Sequence, residues 1–290
     1  MIKVFRLEKI YIISLIFAVC VAKISGIGTQ FVNVPASVDE IKYGTQNAII
    51  QFPVNQLGKT SVSISHNDWY GGFSVFSMKI SNPILGGQGI IRLKYGGFEN
   101  LELRSEAPSD NPLGIYSAFG LDITSGFQIQ YHDYQIAALL RMMKLRIYTH
   151  SSTGMTGCIS ILKKMSRDWG FGFSVAQFGY MSPFIENKSN LPVSANILLI
   201  HKTDFKQFRN FFSFTGGAIS ATDNYIFSAT NSIKWKNVDL SLASHISKNV
   251  TEISGGVSFL LGIYQIEYGF RIADHKLGIP QVLELTVILP

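Results

Sequence analysis

The sequence predicts an all-β protein, a transmembrane antiparallel β-barrel of about 14 strands with a short N-terminal segment packed in or near the lumen. First, only 15% of the residues are charged and 47% are hydrophobic, whereas soluble domains carry roughly 25% charged residues. Second, hydrophobicity alternates with a period of two from about residue 60 onward, as in strands. Third, no stretch beyond the N-terminus reaches the roughly 18 apolar residues of a spanning helix.

Residues 1–22 have the pattern of a signal peptide. Lys3, Arg6 and Lys9 precede a 13-residue apolar run from Ile10 to Ala22, which is short for a membrane-spanning helix. An uncleaved signal anchor is the alternative. Cleavage after Ala22 would remove Cys20 and leave Cys158 alone, so we expect neither an internal disulfide nor a thiolate metal site.

Residues 23–58 show no clean period and are punctuated by proline and glycine, so we expect an irregular segment there. Residues 59–290 form the predicted barrel. The expected strands lie at about 60–66, 71–80, 85–96, 114–128, 131–147, 153–164, 169–180, 191–201, 206–216, 222–233, 237–247, 251–261, 263–273 and 280–289. The run 131–147 also permits a helix, since Leu139, Leu140, Met143 and Ile147 fall at helical spacing.

The clearest strand is 264–273, where tyrosine, phenylalanine and isoleucine alternate with Gln265, Glu267, Gly269 and Arg271. A soluble periplasmic β-protein would alternate in the same way. The membrane barrel is favoured because strands of this length suit a tilted crossing of roughly 9–11 residues. The faces with Ser, Gly, Thr and Gln are also typical of a wet or plugged lumen. Trp69, Trp169 and Trp235 fall at turns or strand ends, where they either anchor the membrane interface or pack locally.

Four charged side chains, Arg92, Lys94, Glu267 and Arg271, are predicted to face the lumen by this alternation. Charges inside a membrane protein usually pair, so an internal set of ion pairs is the favoured interpretation. In an open barrel the same residues would bias a pore toward anions.

A search for chemistry finds no G-x-S-x-G, H-E-x-x-H, P-loop or dinucleotide-binding motif. His132 and Ser151 are the pair that a barrel hydrolase could use, but both are readily explained as ordinary polar residues at the rim. We therefore expect no enzyme, no catalytic, metal or cofactor-binding residues and no cofactor, and the ligand-binding residues are unknown. The net charge of +6 is not concentrated in any basic run, so no nucleic-acid partner is expected.

Four stretches carry a resemblance that spans most of the mature chain. They are Phe31-Val32-Asn33-Val34-Pro35-Ala36-Ser37, the run from Val62 to Gly72 containing Ser65-His66-Asn67-Asp68-Trp69, the run from Phe178-Gly179-Tyr180 to Leu191-Pro192-Val193, and the closing stretch from Tyr268 to Leu285 with Leu277-Gly278. Together they resemble the PorV/PorQ-like outer membrane proteins, whose barrels are similar to those of the FadL transporters. The chain departs from the pattern in the shortened stretch Phe52–Leu57 and in ending on Pro290, where outer membrane barrels commonly end in an aromatic residue.

The resemblance implies an outer membrane location in a Gram-negative bacterium, contact with outer-membrane lipid, and an accessory role in type IX-like protein secretion and surface attachment. Secretion-system components or exported proteins would then be partners. The alternative is a FadL-like passive channel for hydrophobic small molecules. An apolar lumen pocket beside a gap or kink in the wall, with segment 31–58 as a gate, would favour the channel.

Overall fold

The computed structural model describes residues 30–45, 49, 58–104, 111–184, 191–220, 224–248, 250–274 and 278–289. The predicted signal peptide, Cys20, the stretch Phe52–Leu57 and Pro290 lie outside these residues. Among the described residues, no helix is long and apolar enough to cross a membrane.

Fourteen antiparallel strands form one barrel. Each strand pairs with its neighbours in the chain, and pairing of β1 with β14 closes the barrel. The strands are β1 (Thr60–Asp68), β2 (Ser74–Ile84), β3 (Gly87–Leu103), β4 (Gly114–Tyr131), β5 (Tyr134–Ile147), β6 (His150–Lys164), β7 (Trp169–Met181), β8 (Ser194–Phe205), β9 (Phe208–Ile219), β10 (Asn224–Trp235), β11 (Val238–Ser247), β12 (Thr251–Leu261), β13 (Tyr264–Ala273) and β14 (Gln281–Leu289). The predicted fold class is therefore confirmed, and the ambiguous run 131–147 forms a strand and not a helix.

The two faces of the wall have opposite chemistry, as the alternation predicted. On β1, Ser61, Ser63, Ser65 and Asn67 are buried in the lumen, whereas Ile64 is exposed on the outside. Each of the other strands likewise exposes large apolar side chains on its outer face. Because a closed barrel leaves no unpaired strand edge, such an apolar outer face is suited to lipid.

The two ends of the barrel differ in the length of their connections. At one end, called here the short-turn end, five of the six turns have two residues, such as Lys206-Gln207 and Lys236-Asn237, and the sixth spans Met165–Asp168. At the opposite, long-loop end, the connections include 104–113 and 182–193. In bacterial barrels the short turns face the periplasm, which orients the wall.

A short helix, α1 (Val38–Tyr43), lies inside the barrel, preceded by a 3-10 turn at Gln30–Asn33. The sequence had indicated only irregular structure here, and for these six residues that expectation is wrong. The physical reason is local capping: the Ser37 hydroxyl at the N-cap accepts a hydrogen bond from the Glu40 amide at 3.2 Å. The Glu40 carboxylate also accepts one from the amide of Ala36, the residue before the N-cap, at 2.7 Å.

Candidate functional site

Residues 30–45, called here the lumen segment, have their backbone groups satisfied by the barrel wall. The Asn67 amide donates to the Pro35 carbonyl at 2.7 Å, and the Ser77 hydroxyl donates to the Ala36 carbonyl at 2.9 Å. Buried backbone groups need partners. Because the wall supplies them, the lumen segment is an integral part of the folded barrel.

Both ends of α1 are capped by wall side chains. The Val38 amide donates to the Glu284 carboxylate at 3.0 Å, and the Ile41 carbonyl accepts from Arg271 at 2.9 Å. The Lys42 carbonyl accepts from the Thr230 hydroxyl at 3.0 Å. Helix ends leave such groups without intrahelical partners, so the wall selects a helix of this length at this place.

The strongest electrostatic anchor joins Glu40 of α1 to Arg92 of β3. The two side chains form a hydrogen-bonded ion pair, with 2% and 4% of their side-chain surfaces exposed. Burial alone would raise the pKa of Glu40, but the Arg92 guanidinium, helped by Lys94, holds it below the ordinary value. Glu40 is therefore ionised in the lumen at neutral pH.

Lys94 and Arg141 hold the first part of the lumen segment. The Lys94 ammonium donates to the carbonyls of Phe31 and Val34 at 2.8 and 2.7 Å and lies 4.3 Å from the centre of the Phe31 ring. Arg141 donates to the Val32 carbonyl at 3.3 Å and pairs with Asp122 at 2.9 Å. These wall cations therefore bind the segment through its backbone carbonyls as well as through charge.

A second charged group lies at the other end of α1. The Lys42 ammonium is 3.9 Å from Glu267 of β13 and 3.9 Å from Asp39 on its own helix. Burial would lower the pKa of Lys42, but Asp39 and Glu267 together raise it above the ordinary value. The helix thus carries both a buried anion and a buried cation, each with a partner of opposite charge.

The four charged residues predicted to face the lumen all do so. Arg92 and Glu267 pair with α1, whereas Arg271 donates to Glu252 at 3.2 Å and to the helix. The expectation of ion pairs holds for Arg92, Glu267 and Arg271, whereas Lys94 bonds backbone carbonyls of the lumen segment. Sequence reasoning missed Glu40 and Lys42, although the capping-box pattern Ser37-Val38-Asp39-Glu40 was a signal that could have located them.

The lumen contains a cavity on each side of the lumen segment. One, of about 490 Å³, lies toward the short-turn end and is lined by Leu162, Leu198, Ile200 and Phe211 together with charged residues. The other, of about 260 Å³, lies toward the long-loop end and includes Asn196, Ser228 and His245. The lumen segment contributes Tyr43 to both linings and so separates the two spaces.

Two apolar clusters lie on the lumen side of β5–β7. Ile49 packs with Leu139 of β5, Cys158 of β6 and Ala176 of β7, with Leu162 alongside. A second cluster toward the long-loop end joins parts of the lumen segment and the wall, namely Phe31, Val32, Met143, Leu145, Met181 and Leu191. Ile49 and Leu162 also line the 490 Å³ cavity, so the first cluster adjoins that cavity. Between the two clusters, the inward positions of β5 and β6 carry the buried polar residues Arg141 and Thr156.

The wall is kinked between these two clusters. A register shift between Gly157 and Cys158 leaves Gln177 of β7 as an extra residue, with a positive φ of 62°, as in a β-bulge. Its side chain turns inward and donates to Asn33 of the lumen segment at 2.7 Å. The described pairing of β7 with β8 ends at Ala176 and Ser194, so β7 continues beyond the ladder that joins the two strands.

His132 and Ser151 do not form a pair, in keeping with their interpretation as ordinary polar residues. His132 lies in the turn after β4 at the short-turn end, whereas Ser151 lies at the start of β6 at the long-loop end. Antiparallel strands run the full height of the barrel, so residues at opposite ends of adjacent strands do not meet.

A different Ser–His pair occurs in the 260 Å³ cavity, where the Ser228 hydroxyl is 2.8 Å from His245 Nδ1. The other ring nitrogen, Nε2, bonds to the Ser254 hydroxyl at 2.9 Å, and Ser254 in turn donates to the Ile41 carbonyl. A hydrolase needs an acidic group in the position of Ser254 to stabilise the imidazolium. Here Arg271, a cation, is paired directly across from Ser254, so the arrangement favours a structural role.

Of the three tryptophans, two are placed as anchors at the membrane interface and one packs locally. Trp169 and Trp235 lie on the outside at the short-turn end, 44% and 45% exposed, as expected of interface anchors. Trp69 packs locally, with the Arg271 guanidinium 5.4 Å from its ring. Within the described part of the chain, no group of three or more His, Cys, Asp or Glu side chains could hold a metal ion.

Known structures share this architecture. The toluene transporter TodX of Pseudomonas putida matches with a TM-score of 0.55 at 9% identity, over 92% of this chain and 97% of that one. The CymD monoaromatic hydrocarbon channel matches with a TM-score of 0.53 at 9% identity, over 92% and 97%. At such identities the likeness concerns the fold alone. No family model and no curated protein matches the chain.

The barrel and its apolar outer face place the protein in the outer membrane of a Gram-negative bacterium.

Proposed function

We propose that this barrel is a passive channel for small apolar molecules. The observation that carries the proposal is the kink at Gln177, which adjoins the apolar cluster of Ile49, Leu139, Cys158 and Ala176 and is bonded to the lumen segment through Asn33. This is the arrangement that distinguishes the channel hypothesis from the secretion hypothesis. The structural neighbours named as a toluene transporter and a monoaromatic hydrocarbon channel support it as fold relatives.

In the proposed route, a solute moves from the 490 Å³ cavity past the adjoining apolar cluster on β5–β7 and passes the barrel wall at the end of the β7–β8 ladder. A straight route along the barrel axis would meet α1 and its buried ion pairs, and displacing them would expose charges that are costly to leave unpaired. A lateral exit beside Ala176, where the β7–β8 ladder ends, leaves the ion pairs of α1 in place. The Gln177–Asn33 hydrogen bond is the polar contact that joins the kink to the lumen segment.

Deletion of Gln177 tests the route directly. Ala176 pairs with Cys158 and Phe178 pairs with Gly157, so removing the extra residue gives a regular ladder without turning any side chain to the other face. Host cells that express the wild-type barrel should take up a radiolabelled monoaromatic hydrocarbon faster than cells with empty vector, and the deletion variant should fall to the empty-vector rate.

Gln177→Asn, which keeps the extra residue, is the matched control and should retain uptake. Heat-modifiable gel migration reports whether each variant is folded. Uptake by a folded deletion variant at the wild-type rate would contradict the wall route, whereas wild-type uptake no faster than empty vector would contradict the channel itself.

The secretion role implied by the PorV/PorQ resemblance stays a prediction, as do its partners. Among the residues that the structure describes, no contact favours it over the channel. Co-purification of the membrane-extracted protein with secretion-system components or exported proteins would be the evidence for it.

A further inference from the structure

The short-turn end carries a group of aromatic and lysine side chains on its outer face. Phe205 and Lys206 end β8 and begin its turn, and Trp235 and Lys236 do the same for β10. Phe208, at the start of β9, pairs with Trp235. The three rings are 66%, 47% and 45% exposed for Phe205, Phe208 and Trp235, so they face the surroundings of the barrel.

The geometry of this group is well defined. The Phe208 and Trp235 rings are stacked with centres 6.1 Å apart and an interplanar angle of 19°. The Lys206 ammonium lies 5.8 Å from the Phe205 ring centre, and the Lys236 ammonium lies 5.3 Å from that of Trp235. The lysines are therefore held over aromatic rings on either side of the stacked pair.

The two lysines are close enough to share one ligand. They follow β8 and β10, which are separated only by β9, so their backbones are about two strand spacings apart, or roughly 10 Å. Two lysine side chains of ordinary length can converge across such a gap. The acids nearest in sequence do not compete, because Asp204 bonds Arg209 at 2.9 Å and Asp239 accepts from Ser232 on the lumen side.

The basic residues of the short turns also lie on one side of this end. The turns at Leu85-Gly86, His132-Asp133 and Gly262-Ile263 contain no lysine or arginine, whereas the three consecutive turns after β6, β8 and β10 contain Arg167, Lys206 and Lys236. Aromatic rings lie at the level of lipid headgroups in membrane barrels. The cations beside them therefore lie where lipid phosphates are found.

We propose that Lys206 and Lys236, with the stacked rings of Phe208 and Trp235, form a binding site for the headgroup phosphate of a phospholipid in the adjacent leaflet. The two ammonium groups donate to the phosphate oxygens, and the exposed ring faces cover the first part of the acyl chains. Anionic lipids attract lysines near the membrane surface. This site is on the outer face and does not depend on the proposed channel.

Native mass spectrometry of the full barrel titrated with phosphatidylglycerol tests the site. The wild type should retain one lipid more tightly than diacylglycerol of the same chain length. Lys206→Gln combined with Lys236→Gln should weaken that binding by roughly thirtyfold, since each lysine near an anionic lipid contributes about fivefold. Both side chains are exposed, and heat-modifiable migration should show that the variant is folded.

The matched control combines Lys59→Gln with Lys163→Gln, which removes the same charge from other positions at this end of the barrel. This control should bind as the wild type does. Equal weakening in both double variants would overturn the site, since attraction would then depend on total charge. The proposal would also be overturned if diacylglycerol bound as tightly as phosphatidylglycerol. Displacement of the lipid by millimolar inorganic phosphate would overturn it too, because it would indicate a site for soluble anions.

Discussion

The Glu40 carboxylate and the Arg92 guanidinium form a buried ion pair that joins the helix inside the lumen to the barrel wall. The partners are 52 residues apart in the sequence, and neither is exposed by more than 4% of its side-chain surface. The pair fixes α1 against β3, while Glu284 and Arg271 fix its two ends.

Removing the charge of Glu40 should loosen the lumen segment. In Glu40→Gln the Arg92 guanidinium stays buried without its carboxylate, and breaking a buried pair in this way costs about 3–5 kcal/mol. We expect faster hydrogen exchange at residues 30–45 while the barrel still shows heat-modifiable migration. Glu102→Gln is the control, because Glu102 is a carboxylate of β3 that pairs with Arg104 at an exposed position. Equal exchange in the two variants would contradict the anchoring role of the Glu40–Arg92 pair.

Acid should loosen the same contact in the wild type. The folded pKa of Glu40 lies below its unfolded value of 4.5, so its stabilising contribution is fully present above that value and is lost as the pH falls through the folded pKa. Protection of residues 30–45 from hydrogen exchange should therefore be constant near neutrality and decline below about pH 4. Protection in Glu40→Gln should show a smaller decline, and an identical decline would assign the effect to other carboxylates.

Raising the pH should weaken the contacts of Lys42, whereas lowering it weakens those of Glu40. Its pKa lies above the ordinary value of 10.5, so its contribution is complete below that value and is lost only as the pH rises through the folded pKa. Protection of α1 should persist to at least about pH 10, as measured by fast-quench exchange. Earlier loss in the wild type than in Lys42→Met would contradict the pairing of Lys42 with Glu267 and Asp39.

A charge on the outer face should destabilise the barrel in lipid. Leu242 lies midway along β11 and is 61% exposed, so Leu242→Arg would place a cation against hydrocarbon and cost about 2–4 kcal/mol. Denaturant titration of protein folded in bilayers measures this change. Gln265→Arg, whose side chain lines the lumen cavity, should cost much less. Similar costs for both variants would argue against a lipid-facing surface at Leu242.

The Ser228–His245 pair should be inert toward reagents that modify nucleophilic serines. The imidazole has Ser254, and no carboxylate, at its second nitrogen, so it is poorly suited to accept the Ser228 proton. A fluorophosphonate probe should not label the purified barrel at neutral pH. Labelling that is lost in Ser228→Ala but kept in Ser232→Ala, on the same strand, would reveal a catalytic serine and overturn the structural interpretation.

Much of the wall could be predicted because strand periodicity is a local property. Each of the 14 strands overlaps a predicted run, and the inward positions of Arg92, Lys94, Glu267 and Arg271 follow from alternation alone. The helix α1 was missed because six residues are too few for a hydrophobic period to be recognised. Its stability comes from the wall side chains that cap it, and such contacts leave no local pattern.

The sequence by itself determined the barrel. Alternating hydrophobicity, low charge and strands long enough to cross a bilayer specify a wall with an apolar outside and a polar inside. These features can be predicted because the face on which a strand residue lies depends only on its neighbours in the chain. Only the tertiary structure decided what fills the lumen and where the wall is kinked. The pairing of Glu40 with Arg92 and the bonding of Gln177 to Asn33 join residues 52 and 144 positions apart. Such partners are set by barrel closure and strand register, which bring distant residues together only when the whole wall has formed.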